Sequence, residues 1–120
     1  MPMKLSELID KIDAVVISGD HKLDLDIERI GASDMMSDIL AANLGTSSML
    51  LTGLTNVQSI KTAVIAGVEA ILFVRNKRPP QAVIDTANSH GIPLLTCPYS
   101  MFVTSGRLYA QGFTGLNGLR

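Results

Sequence analysis

Three short apolar runs recur along the second half of the chain: Ser48-Met49-Leu50-Leu51-Thr52, Ala70-Ile71-Leu72-Phe73-Val74 and Ile92-Pro93-Leu94-Leu95-Thr96. Their centres lie 22 residues apart, and each interval leaves room for a helix of roughly ten residues. Strands and helices that alternate at this spacing build a right-handed parallel sheet covered by helices. Runs that are apolar at every position are typical of strands buried on both faces. The sequence therefore predicts an α/β, three-layer fold, with a mostly parallel sheet built from βα repeats and flanking helices.

The intervals between the runs contain signals for the ends of helices. Thr55 and Gln58 have the spacing of a capping box, which predicts a helix that continues to Gly67. The apolar residues that this helix carries are Val57, Ile60, Val64 and Ile65. Pro79-Pro80 predicts the start of a second helix that Gly91 terminates, and a third is expected over Ser100–Ala110. The expected core of the sheet is Leu50, Leu51, Ile71, Leu72, Phe73, Leu94 and Leu95.

The first part of the chain predicts smaller elements around these repeats. They are an amphipathic helix over 5–12, a strand over 14–17, an extended segment over 23–27, a strand over 30–33 and a helix over Asp34–Asn43. Ser33 or Asp34 is the expected N-cap of that last helix. Its expected inner face is Met35, Met36, Ile39 and Leu40.

The composition limits the classes of protein to which the chain can belong. It has 120 residues, of which 47% are hydrophobic and 18% charged, which predicts one folded domain over 1–112 and a flexible tail over 113–120. Without an apolar run of about 20 residues, no membrane contact is expected. A net charge of −1 argues against a nucleic-acid partner. The lone Cys97 fits a reducing, cytoplasmic compartment.

Hydropathy and charge both point towards association. A mean hydropathy of +0.31 is high for so short a chain and predicts a surface hidden by a second subunit, most simply in a homodimer. Residues 1–38 carry nine acidic and four basic side chains, whereas residues 39–120 carry two acidic and six basic ones. This asymmetry fits two solvated faces, an anion site in the basic part, or electrostatic matching between subunits. Met35 and Met36 offer adaptable apolar surface for such a contact.

The carboxyl ends of the predicted strands form the best candidate for a ligand site. Open α/β sheets bind ligands at this edge. The expected ligand-binding residues there are Thr52, Gly53, Thr55, Arg75 and Asn76. Gly53 permits close backbone approach, the amides after Thr55 can receive an anion, and Arg75 with Lys77 and Arg78 adds positive charge. A small nucleotide or phosphate is the expected ligand, and an ordinary polar loop is the alternative.

The remaining side chains that could act in catalysis or bind a metal form no pattern that predicts a catalytic centre, a metal site or a cofactor. Asp34 and Asp38 share a helical face, but a carboxylate in a first helical turn is also stabilised by the helix dipole. His21 and His90 lack partners at ligand spacing. Cys97 follows a predicted strand, and we expect it to be an inert thiol that is buried or half-buried. Arg107 and Tyr109 could contact an anion or a partner, although both also fit a solvated helix.

Several stretches together resemble the DRTGG-domain family, which is similar to the N-terminal domain of HPr kinase/phosphorylase. They are Leu23–Ile27, Ser33–Asp38, Leu51-Thr52-Gly53, Pro79, Gly91–Thr96, Phe102 and Gly106-Arg107-Leu108-Tyr109. The family's Asp-Arg pair falls on Leu54-Thr55 and its Thr-Gly-Gly on Val74-Arg75-Asn76, so the residues that name the family are replaced in this chain.

The resemblance implies an α/β domain that accompanies catalytic or sensory domains, and free-standing versions that act as accessory proteins. A kinase activity is not expected, because the chain has no G-x-x-x-x-G-K-[ST] loop to hold a triphosphate. The sequence thus predicts a non-catalytic regulatory or protein-interaction domain, acting as a homodimer or with a larger metabolic or redox enzyme. A small-ligand sensor that uses the strand ends is the alternative.

Overall fold

In the computed structural model, which describes residues 2–42 and 44–115, the three apolar runs form adjacent strands of one sheet. The strands are β1 (Met3–Lys4), β2 (Val15–Ser18), β3 (Asp26–Ile27), β4 (Arg29–Ala32), β5 (Ser48–Thr52), β6 (Ala70–Phe73) and β7 (Leu94–Thr96). The helices are α1 (Leu5–Lys11), α2 (Met36–Ala42), α3 (Val57–Ala66), α4 (Gln81–Ser89) and α5 (Met101–Ala110).

The main sheet has five strands in the order β2-β7-β6-β5-β4. Strands β4 to β7 are parallel, with Leu50 beside Ile71 and Leu72 beside Leu95. Strand β2 joins at the edge and runs antiparallel to β7. β1 and β3 form a separate two-stranded antiparallel ribbon. The predicted mostly parallel sheet built from βα repeats is confirmed.

Side chains of the central strands alternate between two apolar clusters, one on each face of the sheet. Met49 and Leu51 point to the cluster under α1 and α5, whereas Leu50 points to the cluster under α2, α3 and α4. All seven residues of the expected strand core are fully buried. The predicted three-layer arrangement of helix, sheet and helix is therefore confirmed.

The inner face of α2 differs from the prediction. Met35 and Leu40 were expected to face inwards but are 61% and 46% exposed, so Ile39 anchors α2 with help from the half-buried Met36. In α3, the inner face is Ser59, Ile60, Thr62 and Ala63. Val64 and Ile65 are exposed on the outer side of this helix. Asn43, the expected end of the helix before β5, lies outside the described residues.

The predicted capping box at Thr55 and Gln58 is wrong by one residue. Asn56 is the N-cap of α3, and its side chain accepts a hydrogen bond from the Ser59 amide at 2.9 Å. The predicted C-terminal glycine is correct, since Gly67 has a φ of +78° and its amide donates to the last turn of the helix.

Two further segments depart from their predicted conformation. Of the extended segment over 23–27, Asp26–Ile27 pairs as a strand, while the Leu23 and Leu25 carbonyls accept hydrogen bonds from the first amides of α1. Within the expected flexible tail, Phe113 is buried and Thr114 forms a bridge beside Arg29. Residues 113–115 therefore pack on the domain, and 116–120 lie outside the described residues.

The described part of the chain, 2–42 and 44–115, has no helix with the length and apolar character that crossing a bilayer requires.

The position of the cap gives a prediction about stability. Asn56→Ala should lower the free energy of unfolding by about 1 kcal/mol, because the Ser59 amide loses its acceptor. Thr55→Ala is the matched control and should change it by less than about 0.5 kcal/mol. Urea denaturation of both variants measures the difference. A larger loss for Thr55→Ala than for Asn56→Ala would show that the predicted capping box forms in solution.

Candidate functional site

The carboxyl ends of the four parallel strands meet at one edge of the sheet, as the sequence predicted. The loops that follow them begin at Ser33, Gly53, Val74 and Cys97. Because β2 is antiparallel, its beginning lies at the same edge, and Val15 pairs with Thr96. This direction of β2 brings Asp13, which precedes it, to the strand-end edge.

Asp34 fastens the end of β4 to the end of β5. Its Oδ1 accepts hydrogen bonds from the Gly53 amide at 2.6 Å and from the Thr52 hydroxyl at 2.9 Å. Ser33 stabilises the turn that precedes α2, since its hydroxyl oxygen accepts a hydrogen bond from the Met35 amide at 2.9 Å. Asp34 therefore bonds across the sheet edge instead of capping the helix that follows it. A carboxylate of the protein occupies the backbone and hydroxyl donors that an anionic ligand at Gly53 would need.

Lys77 adds a second link across the same edge. Its Nζ donates to the Gly53 carbonyl oxygen at 2.9 Å, which ties the loop after β6 to the loop after β5. Lys77 is partly buried, whereas Arg75 and Arg78 are exposed. Of the three predicted cationic residues, Lys77 thus makes a hydrogen bond within the fold. The side chains of the other two are exposed to solvent.

Arg75 and Asn76 form a strained turn at the end of β6. Both have left-handed backbone conformations, with φ of +57° and +55°. The Arg75 amide donates to the Tyr99 carbonyl at 2.9 Å, and the Asn76 amide donates to the Cys97 carbonyl at 2.7 Å. A left-handed conformation is costly for a side chain such as arginine, and these two hydrogen bonds hold it in place. The turn leaves both side chains exposed at the edge.

Thr55 is separated from this arrangement. It is partly exposed before α3, and Asn56 supplies the cap that Thr55 was expected to form. The structure therefore brings Thr52 and Gly53 together around Asp34, and places Arg75 and Asn76 on a neighbouring loop. Their expected role in ligand binding stays a prediction.

A second polar cluster, absent from the sequence prediction, joins Asp13, Tyr99 and Arg107. The Tyr99 hydroxyl donates to the Asp13 carboxylate, and the Arg107 guanidinium lies 4.1 Å from the centre of the Tyr99 ring. The hydrogen bond to Asp13 is the main cause of a raised pKa of Tyr99, while Arg107 opposes the rise. Arg107 thus stacks on Tyr99, whereas the sequence had associated it with Tyr109. Asp13 and Tyr99 are separated by 86 positions in the sequence, so no local pattern reveals this pairing.

The other candidate side chains lie apart from this edge or are inaccessible. Cys97 is buried, with its Sγ 3.3 Å from the Thr104 hydroxyl. Asp38 is exposed on α2, and His90 lies at the end of α4 near Lys22 and Glu69. In residues 2–42 and 44–115, no three His, Cys, Asp or Glu side chains are grouped to hold a metal ion.

Among residues 2–42 and 44–115, eight large apolar side chains are exposed, and the sequence predicted this surface only through its composition. They are Val15, Met35, Leu40, Val64, Ile65, Phe102, Val103 and Tyr109. Phe102 is the most exposed of them, at 87%. Isolated exposed apolar residues are common, but several on one helix indicate a surface for contact.

Comparisons with known proteins identify related domains. The model of the DRTGG domain family matches residues 7–110 of the chain. A search of curated proteins finds no match. Among solved structures, the chain resembles the CBS and DRTGG domains of the regulatory region of Clostridium perfringens pyrophosphatase, complexed with its activator diadenosine tetraphosphate.

That structural likeness has a TM-score of 0.70 at 14% sequence identity. The alignment covers 88% of this chain but only 45% of the other, so the chain corresponds to less than half of the matched structure. At this identity the comparison shows a common fold.

The Asp34 contacts predict a loss of stability on substitution. Asp34→Ala should lower the free energy of unfolding by about 1–3 kcal/mol, because the Gly53 amide and Thr52 hydroxyl lose their shared acceptor. Asp38→Ala removes an exposed carboxylate in the first turn of α2, and should change the free energy of unfolding by less than about 0.5 kcal/mol. Chemical denaturation monitored by circular dichroism measures both. Equal effects of the two substitutions would contradict the assigned role of Asp34.

The Tyr99 cluster predicts a pH dependence at high pH. Tyr99 should ionise above its ordinary pKa of 10.0, and Asp13→Asn should lower that pKa. Since the pKa is raised in the folded state, the stabilisation is complete below pH 10.0 and is lost as the pH rises through the pKa of the folded chain. Tyrosinate absorbance in a Tyr109→Phe background isolates the Tyr99 transition. A pKa that is unchanged by Asp13→Asn would refute the hydrogen bond as its cause.

Proposed function

The chain belongs to the DRTGG domain family, and we propose that it is a regulatory domain that acts through protein contact and catalyses no reaction itself. The similar region of the Clostridium perfringens protein is described as regulatory, and DRTGG and CBS domains occur in it together. That description supports a regulatory role here. By analogy, the partner of this chain is a larger metabolic or redox enzyme.

The closed strand-end edge is the observation that carries the proposal. An α/β enzyme or nucleotide sensor uses free amides and hydroxyls at this edge to hold its ligand. In this chain the Gly53 amide and Thr52 hydroxyl are bound to Asp34. An incoming phosphate would have to displace a carboxylate that already makes two hydrogen bonds, and the negative charges would repel each other.

The nucleophile and acid–base groups support the same conclusion. The Cys97 thiol is buried against Thr104, where no substrate can reach it. The Asp13–Tyr99 pair has a hydroxyl whose raised pKa favours the neutral form, so it is a poor base near neutral pH. Neither group has the environment of an activated catalytic residue.

A small-ligand sensor is the second candidate function. Arg75 and Asn76 are exposed at the strand-end edge. The Arg75 backbone amide donates a hydrogen bond to the Tyr99 carbonyl, and the Arg107 guanidinium stacks on the Tyr99 ring. The exposed Arg75 and the nearby pair of Arg107 and Tyr99 are side-chain types that suit the phosphate and base of a nucleotide. The matched region of the Clostridium perfringens protein was crystallised with a dinucleotide activator. In this chain such a ligand would bind outside the Asp34 contact, on the exposed side of the Arg75 turn.

Self-association is part of the proposal, since large apolar side chains such as Met35 and Phe102 are exposed in the described part of the chain. Met35 is available for the predicted contact in the first third of the chain, whereas Met36 packs against the core. The reducing, cytoplasmic location and the likeness to the N-terminal domain of HPr kinase/phosphorylase also stay predictions.

Ligand-dependent thermal unfolding distinguishes the two functions. The midpoint of wild-type unfolding should not rise with ATP, diadenosine tetraphosphate or phosphate, because a ligand stabilises a protein only by binding its native state. The same preparation should not hydrolyse ATP above a blank. Arg75→Ala is the matched variant.

A rise with a nucleotide that Arg75→Ala abolishes would replace the interaction role with the sensor role. ATP hydrolysis that Asp34→Ala or Cys97→Ala abolishes would instead establish an enzyme.

A further inference from the structure

The outer face of α5 is as apolar as the face that packs on the sheet. Thr104 and Leu108 are buried towards the core. At 3.6 residues per turn, Phe102, Gly106 and Ala110 form one stripe on the opposite side, with Val103 beside it. Arg107 is the one charged residue of this helix, and it is stacked on the Tyr99 ring. A helix that is apolar on both sides is normally covered on both sides.

Gly106 lies at the middle of this stripe, where the fold itself gives no reason for glycine. A Cβ built at Gly106 would meet nothing within 4 Å in the described part of the chain, and its φ lies outside the left-handed range. Glycine inside a helix costs about 1 kcal/mol relative to alanine. What glycine provides at such a position is a flat patch on which another chain can approach the backbone.

The stripe combines a projection and a depression that are one helical turn apart. Phe102 is 87% exposed and extends from the first turn of α5. Gly106 follows it by four residues and has no side chain. If two copies of α5 lie antiparallel about a two-fold axis, each Phe102 faces the Gly106 of the other copy. A surface that supplies both the projection and the depression is complementary to itself, as a two-fold dimer requires.

We propose that two copies of this chain associate through α5, with Phe102 of each copy packed on Gly106 of the other. The inference deepens the proposed function, because it names a second copy as one protein that the domain binds. The antiparallel arrangement also places the positive N-terminal end of each α5 near the negative C-terminal end of the other. The stripe itself contains no charge, so the symmetric contact brings no like charges together.

A membrane surface suits this stripe less well. A helix that binds at a lipid surface has lysines and arginines along its polar side. The single arginine of α5 stacks on Tyr99 instead. The chain as a whole has a net charge of −1, which does not favour anionic lipid.

Sedimentation equilibrium across the micromolar range tests the contact. Wild type should reach the dimer mass, whereas Phe102→Asp and Gly106→Leu should stay monomeric at the same concentrations. Both variants should fold, because residue 102 is exposed and the space at residue 106 is open. An aspartate at residue 102 would also interact favourably with the N-terminal end of the helix. Ile65→Asp is the matched control on α3, also strongly exposed, and should dimerise as wild type does.

Gly106→Ala adds a readout that separates the interface from helix stability. In dilute, monomeric samples the substitution should raise the unfolding midpoint by a few degrees, because alanine favours the helix. In the dimer it should weaken association roughly tenfold, because the added methyl group occupies the place of the Phe102 ring. Opposite signs in the two measurements identify Gly106 as an interface residue.

Three results would overturn the proposal. One is a wild-type chain that stays monomeric throughout the range, as it would if residues 116–120 or lipid covered the stripe. Another is a dimer that Phe102→Asp and Gly106→Leu leave intact. The third is a dimer that only Met35→Lys dissociates, which would place the interface in the first third of the chain. None of these results depends on the nucleotide assay, so failure of the dimer and failure of the regulatory proposal can be told apart.

Discussion

Burial of β5 on both faces is the constraint on which the rest of the structure depends. Every residue of this strand is buried, and its side chains alternate between the two apolar clusters. With neither face open to water, the sheet needs a helical layer on each side. The parallel connections then bring four strand ends to one edge, where Asp34 joins the ends of β4 and β5. The layers, the edge and the polar contacts follow from one continuous apolar strand.

The same constraint brings polar groups of neighbouring loops together at the strand-end edge. At the edge where related architectures bind ligands, Asp34 accepts from Gly53 and Thr52, and Lys77 donates to the Gly53 carbonyl. These contacts stabilise the edge and use the groups that a ligand would need. The core is complete without Phe102, since α5 contacts the sheet through its opposite face. The apolar surface left over is therefore available for association.

The sequence predicted the fold far better than the site. The reason is that the strands and helices depend on residues close together in the sequence, whereas the contacts of the site join residues far apart in it. Strands such as Ser48–Thr52 and the end of α3 at Gly67 depend on neighbouring residues, so local patterns reveal them. The contact of Asp34 with Gly53 spans 19 residues and that of Asp13 with Tyr99 spans 86. The second also depends on the antiparallel direction of β2, which no spacing indicated. Hydropathy alone cannot tell which side of an apolar helix meets the sheet, so only the structure shows that Ile65 lies on the outer side of α3.

The chain is a DRTGG domain in which Asp34 bonds across the strand-end edge, and the proposed contact between copies uses the apolar outer face of α5. Isotope-filtered NMR on a mixture of labelled and unlabelled chains tests this most directly, because it reports contacts between copies only. The account predicts cross-peaks between the Phe102 ring of one copy and the Gly106 α-protons of the other. Intermolecular cross-peaks confined to Met35 or Ile65 would contradict it. A sample at dimer mass in which no intermolecular cross-peak involves α5 would contradict it as well.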